Sequence, residues 1–81
     1  MNRTTFLQMC QRASMVKGNI PDELKLKYNN IAYYPVAYEL SFVDGHPKHT
    51  AILGDLRAKS IVYVDLERVE KYEQTRSNSI D

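Results

Sequence analysis

From Tyr33 to Gly45 the chain reads Tyr33-Tyr34-Pro35-Val36-Ala37-Tyr38-Glu39-Leu40-Ser41-Phe42-Val43-Asp44-Gly45, and no other stretch limits the fold so tightly. Beyond Pro35 it alternates. Tyr38, Leu40 and Phe42 fall on one side of an extended chain, and Ala37, Glu39 and Ser41 on the other. Asp44-Gly45 then supplies two residues that tolerate positive φ, the requirement of a tight hairpin turn. Alternation that runs into such a turn needs a partner strand coming straight back, so the chain is committed to an antiparallel sheet. Pro35 cannot donate to a ladder, so it marks an edge, a bulge or a sharp bend.

The other segments fit around that hairpin. Residues 5–17 carry Phe6, Met9, Cys10, Ala13 and Val16 at three- and four-residue spacing, one apolar stripe on a helix. Thr5 and Gln8 have the spacing of a capping box, and Gly18 with Pro21 suits the end. Leu24, Leu26 and Tyr28 alternate with Lys25 and Lys27, a half-buried strand introduced by a short turn at Pro21-Asp22-Glu23. Asn29-Asn30 reads as a two-residue turn, because Asn tolerates positive φ. Residues 48–53 form the return strand of the hairpin, and residues 54–59 break the period as a short helical turn. Residues 61–66, apolar almost throughout, predict a last strand buried on both faces. Residues 67–72 complete a helical turn or an edge strand.

The fold class is therefore α+β: an N-terminal helix followed by a small, strongly bent antiparallel sheet of about five strands. Such strands either lie open under the helix or curl into a barrel. Pro35 at a bend, and a helical turn before the last strand, favour an SH3-like barrel. Barrels of that layout host unrelated functions, so layout alone assigns none.

Eighty-one residues make one domain. Its expected extent is residues 1–73, with residues 74–81 a polar, flexible C-terminal tail. A chain this short buries only ~60–65% of its unfolded surface, so burial in a homo-oligomer interface would add to a thin margin of stability. Eleven Lys and Arg against ten Asp and Glu leave a net charge of +1. That balance disfavours a dedicated nucleic-acid binder, which carries a basic stripe. The pairs Lys25 with Lys27 and Arg57 with Lys59 read as solvated edges. One cysteine excludes a disulfide within the chain and points to a reducing compartment. No apolar run approaches the ~18–20 residues that span a bilayer, and the N-terminus lacks the pattern of a signal peptide. The expectation is a cytoplasmic protein without a membrane partner.

No residue constellation carries a catalytic signature, so a non-enzymatic role is expected. Asp44, His46 and His49 are too few for a metal site, and no cofactor is implied. Cys10 lies on the helix's apolar stripe as a small core residue. The six tyrosines are the strongest binding signal. Each joins a large apolar ring to a hydroxyl and loses little entropy on ordering. Tyr33 and Tyr34 are neighbours, so one faces the core and the other the surface. Around residues 50–60, Arg57, Lys59 and Ser60 could fix an anion, but without the glycine spacing of a phosphate loop.

The order of segments carries a resemblance. It runs through Gln8-Met9-Cys10-Gln11-Arg12-Ala13, Asn19-Ile20-Pro21-Asp22-Glu23-Leu24 and Tyr33-Tyr34-Pro35-Val36-Ala37-Tyr38-Glu39-Leu40. It continues in His49-Thr50-Ala51-Ile52-Leu53-Gly54-Asp55-Leu56-Arg57-Ala58 and Val62-Tyr63-Val64-Asp65-Leu66-Glu67-Arg68-Val69-Glu70. Over residues 6–70 this resembles small proteins of temperate phages and prophages of Gram-positive bacteria, a group with no established activity. The resemblance implies a setting: a phage-type binding protein acting in the host cytoplasm. There it would antagonise a defence system, by occupying a host protein or by sequestering a nucleotide messenger. For a nucleotide, Tyr33 or Tyr34 would stack on the base and Arg57, Lys59 or His49 would meet phosphate. For a protein, Tyr33, Tyr34 and Tyr38 would be the anchors. The alternative is a nucleic-acid-binding accessory protein of phage replication or transcription.

Overall fold

The computed structural model describes residues 1–72; the expected tail at residues 74–81 lies outside them. One helix, α1 (Arg3–Ser14), precedes five strands: β1 (Leu26–Tyr28), β2 (Ile31–Val43), β3 (His46–Asp55), β4 (Ile61–Asp65) and β5 (Glu70–Lys71). Short 3-10 turns at Asp22–Leu24 and Leu66–Arg68 lead into β1 and β5. The strands form one antiparallel sheet in the order β4-β3-β2-β1-β5.

α1 starts one turn earlier than the capping-box spacing predicts. Asn2 is the N-cap, and its side-chain oxygen accepts from the Thr5 backbone N–H at 2.8 Å. The helix also ends sooner, at Ser14, whose hydroxyl donates to the Gln11 carbonyl at 2.7 Å. A side chain that ties back to its own last turn competes with continuation of the helix. The apolar stripe does its expected work: Phe6 and Met9 are buried against one face of the sheet, with Cys10, Ala13 and Val16 at the margin.

The two hairpin turns form as the sequence predicts. Asn29 and Asn30 have φ of 51° and 63°, and Asp44 and Gly45 of 53° and 79°. Both pairs lie in the left-handed region that lets a two-residue turn follow the twist of its strands. Pro35 does not break its strand. β1 covers β2 only from Ile31 to Tyr33, so Pro35 lies just past that ladder, where a missing donor leaves no gap. The register with β3 shifts between Pro35 and Ala37, which makes Val36 the extra residue of a bulge. A bulge bends its strand and increases the twist.

Two expectations are corrected. The sheet is bent but does not close into a barrel: β4 at one end and β5 at the other are not hydrogen-bonded to each other. β5 spans only two residues, and α1 covers the apolar face that closure would otherwise have to bury. Nor is the last long strand buried on both faces. β4 is an edge strand covered on one side, so Val64 is buried while Ile61 and Tyr63 are exposed. The core between helix and sheet includes Phe6, Leu26, Leu53 and Val69, all fully buried. Each such side chain contributes about 1.5–3 kcal/mol through removal from water.

Candidate binding surfaces

Among the described residues no second helix covers the face of the sheet opposite α1, and the side chains of that face follow from the ladders. Opposed residues in antiparallel strands share a face. Glu39 pairs with Thr50 and Thr50 with Asp65, one row across three strands. Ser41 with Lys48 forms the next row, and Ala37 with Ile52 and Tyr63 the row on the other side. Of these, Glu39, Ser41, Lys48, Thr50, Tyr63 and Asp65, with Tyr28 and Arg68, line a shallow groove of about 500 Å³. Tyr63 stands at its wall with 66% of its surface in water.

The floor of the groove has an unusual feature. Thr50 is only 9% exposed, yet its hydroxyl has no hydrogen-bond partner among the described residues. Thr50 lines the groove, where a hydroxyl can donate to or accept from a water or a ligand. Neither Lys48 nor Arg68 joins the three ion pairs found among the described residues, which are Arg12–Glu23, Lys25–Asp22 and Lys27–Glu70. Asp65 is partly engaged, because one of its oxygens accepts from the Glu67 backbone N–H at 2.9 Å. The groove thus presents an aromatic wall, an unpaired hydroxyl and unpaired charges of both signs.

The residues singled out from sequence do not converge on one site. Tyr33 is in the core, 6% exposed, and its neighbour Tyr34 points to the opposite face. The Tyr34 ring lies over Gly54 across the ladder, so close that a Cβ on residue 54 would collide with the ring's Cζ. One face of that ring is therefore used by the sheet. Tyr38 and His49 form a half-buried pair, their hydroxyl and Nδ1 hydrogen-bonded and their rings stacked at 5.9 Å between centroids. Arg57 and Lys59 are exposed on the β3–β4 connection. Asp55 organises that connection: its carboxylate accepts from the backbone N–H of Arg57 at 2.7 Å and of Ala58 at 3.1 Å. These bonds hold the Asp55 carboxyl below the ordinary carboxylate range. Lys59 lines a second shallow cleft with Tyr34, Ser60 and the end of α1, about 20 Å or more of chain away from His49 by strand rise.

Lys25, just before β1, and Lys27 within it are accounted for structurally. Lys25 Nζ is 2.8 Å from Asp22 and 5.5 Å from the centre of the Tyr72 ring, and Lys27 is 3.6 Å from Glu70 on β5. The hydrogen bond to Asp22 raises the Lys25 pKa. Among the described residues no group of three His, Cys, Asp or Glu side chains could hold a metal ion, and no helix is long and apolar enough to cross a membrane.

Sequence reasoning passed over Thr50, Lys48, Glu39 and Asp65 as a group. The signal was present for the first three: counting back from the Asp44-Gly45 turn fixes Ser41 against Lys48 and Glu39 against Thr50. Asp65 and Arg68 had no such signal, because their place depends on how β4 and the following turn cross the sheet. No known protein family, curated protein or solved structure matches the chain.

Proposed function

We infer that the chain is a non-catalytic binding protein that captures a protein partner on the open face of its sheet. The carrying observation is the groove, where exposed Tyr63 stands beside unpaired Lys48 and Arg68 and the unpaired Thr50 hydroxyl. A rigid aromatic ring within a rim of mixed charge has the anatomy of a protein interface. Glu39 and Asp65 flank Thr50 in the same row and would repel a phosphate, which favours a protein over a nucleotide messenger. The setting comes from the sequence resemblance alone: a temperate phage, with the partner a defence component in the host cytoplasm.

The test is expression of the chain in bacteria that carry defined defence systems, each challenged by a phage it blocks. The wild-type chain restores plaques against one system. Tyr63→Ala and Lys48→Glu, each with an unchanged circular dichroism spectrum, lose most of that rescue. Rescue that survives both substitutions would place the capture surface elsewhere. Loss of an internal nucleotide signal without a captured protein would replace protein capture by sequestration. Tight binding to nucleic acid with a steep salt dependence would favour the replication or transcription accessory role.

A further inference from the structure

We propose that the chain forms a symmetric dimer in which the outer edge of β2 pairs with the same edge of a second copy, about a two-fold axis at Leu40. This surface is separate from the groove and does not rest on the reading given above.

The edge is open and unguarded. β1 covers β2 only as far as Tyr33, and β3 takes the other side, so from Val36 to Val43 the outer edge of β2 has no partner among the described residues. That stretch contains no Lys or Pro and a single charge, Glu39. The opposite edge of the same ribbon is treated differently. β4 covers β3 only from Thr50 to Gly54, and the free remainder is His46-Pro47-Lys48-His49. Proline and lysine are the residues that block strand addition at an edge. The chain blocks one edge of its ribbon and leaves the other bare.

The hydrogen-bonding groups on the bare edge are placed by the turn. A two-residue turn makes Val43 and His46 a hydrogen-bonded pair, and pair types then alternate along the ladder. Phe42, Leu40 and Tyr38 therefore direct their backbone N–H and C=O groups away from β3. Pro47 opposes Phe42 at one of these outward positions, where its missing N–H leaves the ladder intact. Side chains reinforce the pattern: Phe42 is 66% exposed, Leu40 43% and Val43 52%.

The register follows from charge and length. An axis at Leu40 sets Leu40 against the partner's Leu40 and Tyr38 against the partner's Phe42. It sets Glu39 against the partner's Ser41, so the row on the open face runs from Lys48 through Ser41 to the partner's Glu39, a cation facing a carboxylate across one serine. An axis at Glu39 would oppose two carboxylates directly. An axis at Tyr38 would drive the partner's turn into β1, and an axis at Ser41 would shorten the ladder. The Leu40 register pairs Ala37 through Val43 with the partner's Val43 through Ala37, which is the length of edge that β1 leaves free. Both helices then lie on one side of a continuous sheet and both grooves on the other. The contact is on the order of 500 Å² per copy, below the ~800 Å² of a standard interface, so the dimer is concentration-dependent.

The experiment is sedimentation velocity on the purified chain from about 1 µM to about 1 mM, spanning the range expected for an interface of that size. A shift from monomer to dimer across that range is expected. Leu40→Pro removes an outward N–H that the monomer ladder does not use, so it keeps the monomer's far-ultraviolet spectrum and abolishes the dimer. In a Cys10→Ala background, Leu40→Cys cross-links under mild oxidation, because the paired Cα atoms lie about 5.5 Å apart. Ser41→Cys, which this register sets against the partner's Glu39, does not cross-link. A monomer at every concentration overturns the proposal. So does a dimer that persists in Leu40→Pro, or one that cross-links through Ser41→Cys in place of Leu40→Cys.

Discussion

Tyr34 and Gly54 illustrate how one residue's role depends on another's absence of atoms. Gly54 is buried on β3, and the Tyr34 ring occupies the space that any Cβ there would need. An aromatic ring laid over a strand glycine shields its backbone, and the pair acts as one unit. Gly54→Ala is expected to lower stability by about 1–3 kcal/mol through overpacking. In a Tyr34→Ala background the same change is expected to cost nothing or to stabilise. Chemical denaturation of the four proteins of this cycle measures the coupling, and additive effects would sink the idea. Cys10 shows a second single-residue effect. Its burial on α1 pushes the thiol up to about 11 from the ordinary 9.0. At pH 8 only the thiolate reacts, so alkylation of the native protein is expected to run about a hundredfold slower than in denaturant. Mass spectrometry of timed samples reads the ratio, and equal rates would show an exposed thiol.

Among the elements, the β3–β4 connection is tied to pH through Asp55. Asp55 accepts two backbone N–H groups, Arg57's first and Ala58's second, and both favour the carboxylate. Its folded pKa is therefore below its unfolded one. The stability it contributes is fully present above the ordinary carboxylate value of 3.8 and is lost as pH falls through the lower folded value. Asp55→Ala is expected to melt below the wild type at pH 7, with the gap narrowing once the pH drops below that window. Asp55→Asn keeps a neutral acceptor and is expected to show a smaller gap at pH 7, which also narrows as the wild-type carboxylate is protonated. Thermal melts between neutral and acid pH decide this, and a constant gap for Asp55→Ala would remove the carboxylate from the account. The elements also divide by legibility. α1, both hairpin turns and the long β2–β3 ribbon could be read from period and turn chemistry. The helix boundaries could not, because Asn2 and Ser14 act through single hydrogen bonds that compete with an equally plausible capping spacing.

For the whole molecule, the arrangement of covered and bare surfaces is the governing fact. One helix is enough to cover one face of a five-stranded sheet and no more. The other face keeps Tyr63 and the charged rows in water, and the β2 edge keeps Phe42 and Leu40 there. If the β2 edges pair, folding and association are linked, and the melting temperature rises with protein concentration for the wild type and stays constant for Leu40→Pro. Pairing would also bring two grooves onto one side of a shared sheet, so a dimeric partner would gain affinity from two simultaneous contacts.

The sequence by itself determined the α+β class, the antiparallel hairpin, an edge, bulge or bend at Pro35 and the opposite directions of Tyr33 and Tyr34. Each of these is a local matter of period, turn φ or a missing donor. Tertiary structure decided which strand is an edge, and so reversed the reading of the last strand: Ile61, Val62, Tyr63 and Val64 spell a doubly buried strand, yet only Val64 is buried. It also decided that the sheet stays open and that Tyr33, Tyr34, Tyr38, His49, Arg57 and Lys59 scatter over the core, two shallow faces and a turn. The groove itself was beyond reach of local reading, because Arg68 meets the Thr50 row only through the path of the chain after β4, and Tyr28 only through the tertiary placement of β1. Hydrophobic pattern states that a residue prefers burial; only the number of neighbours that the fold can supply settles whether it is buried.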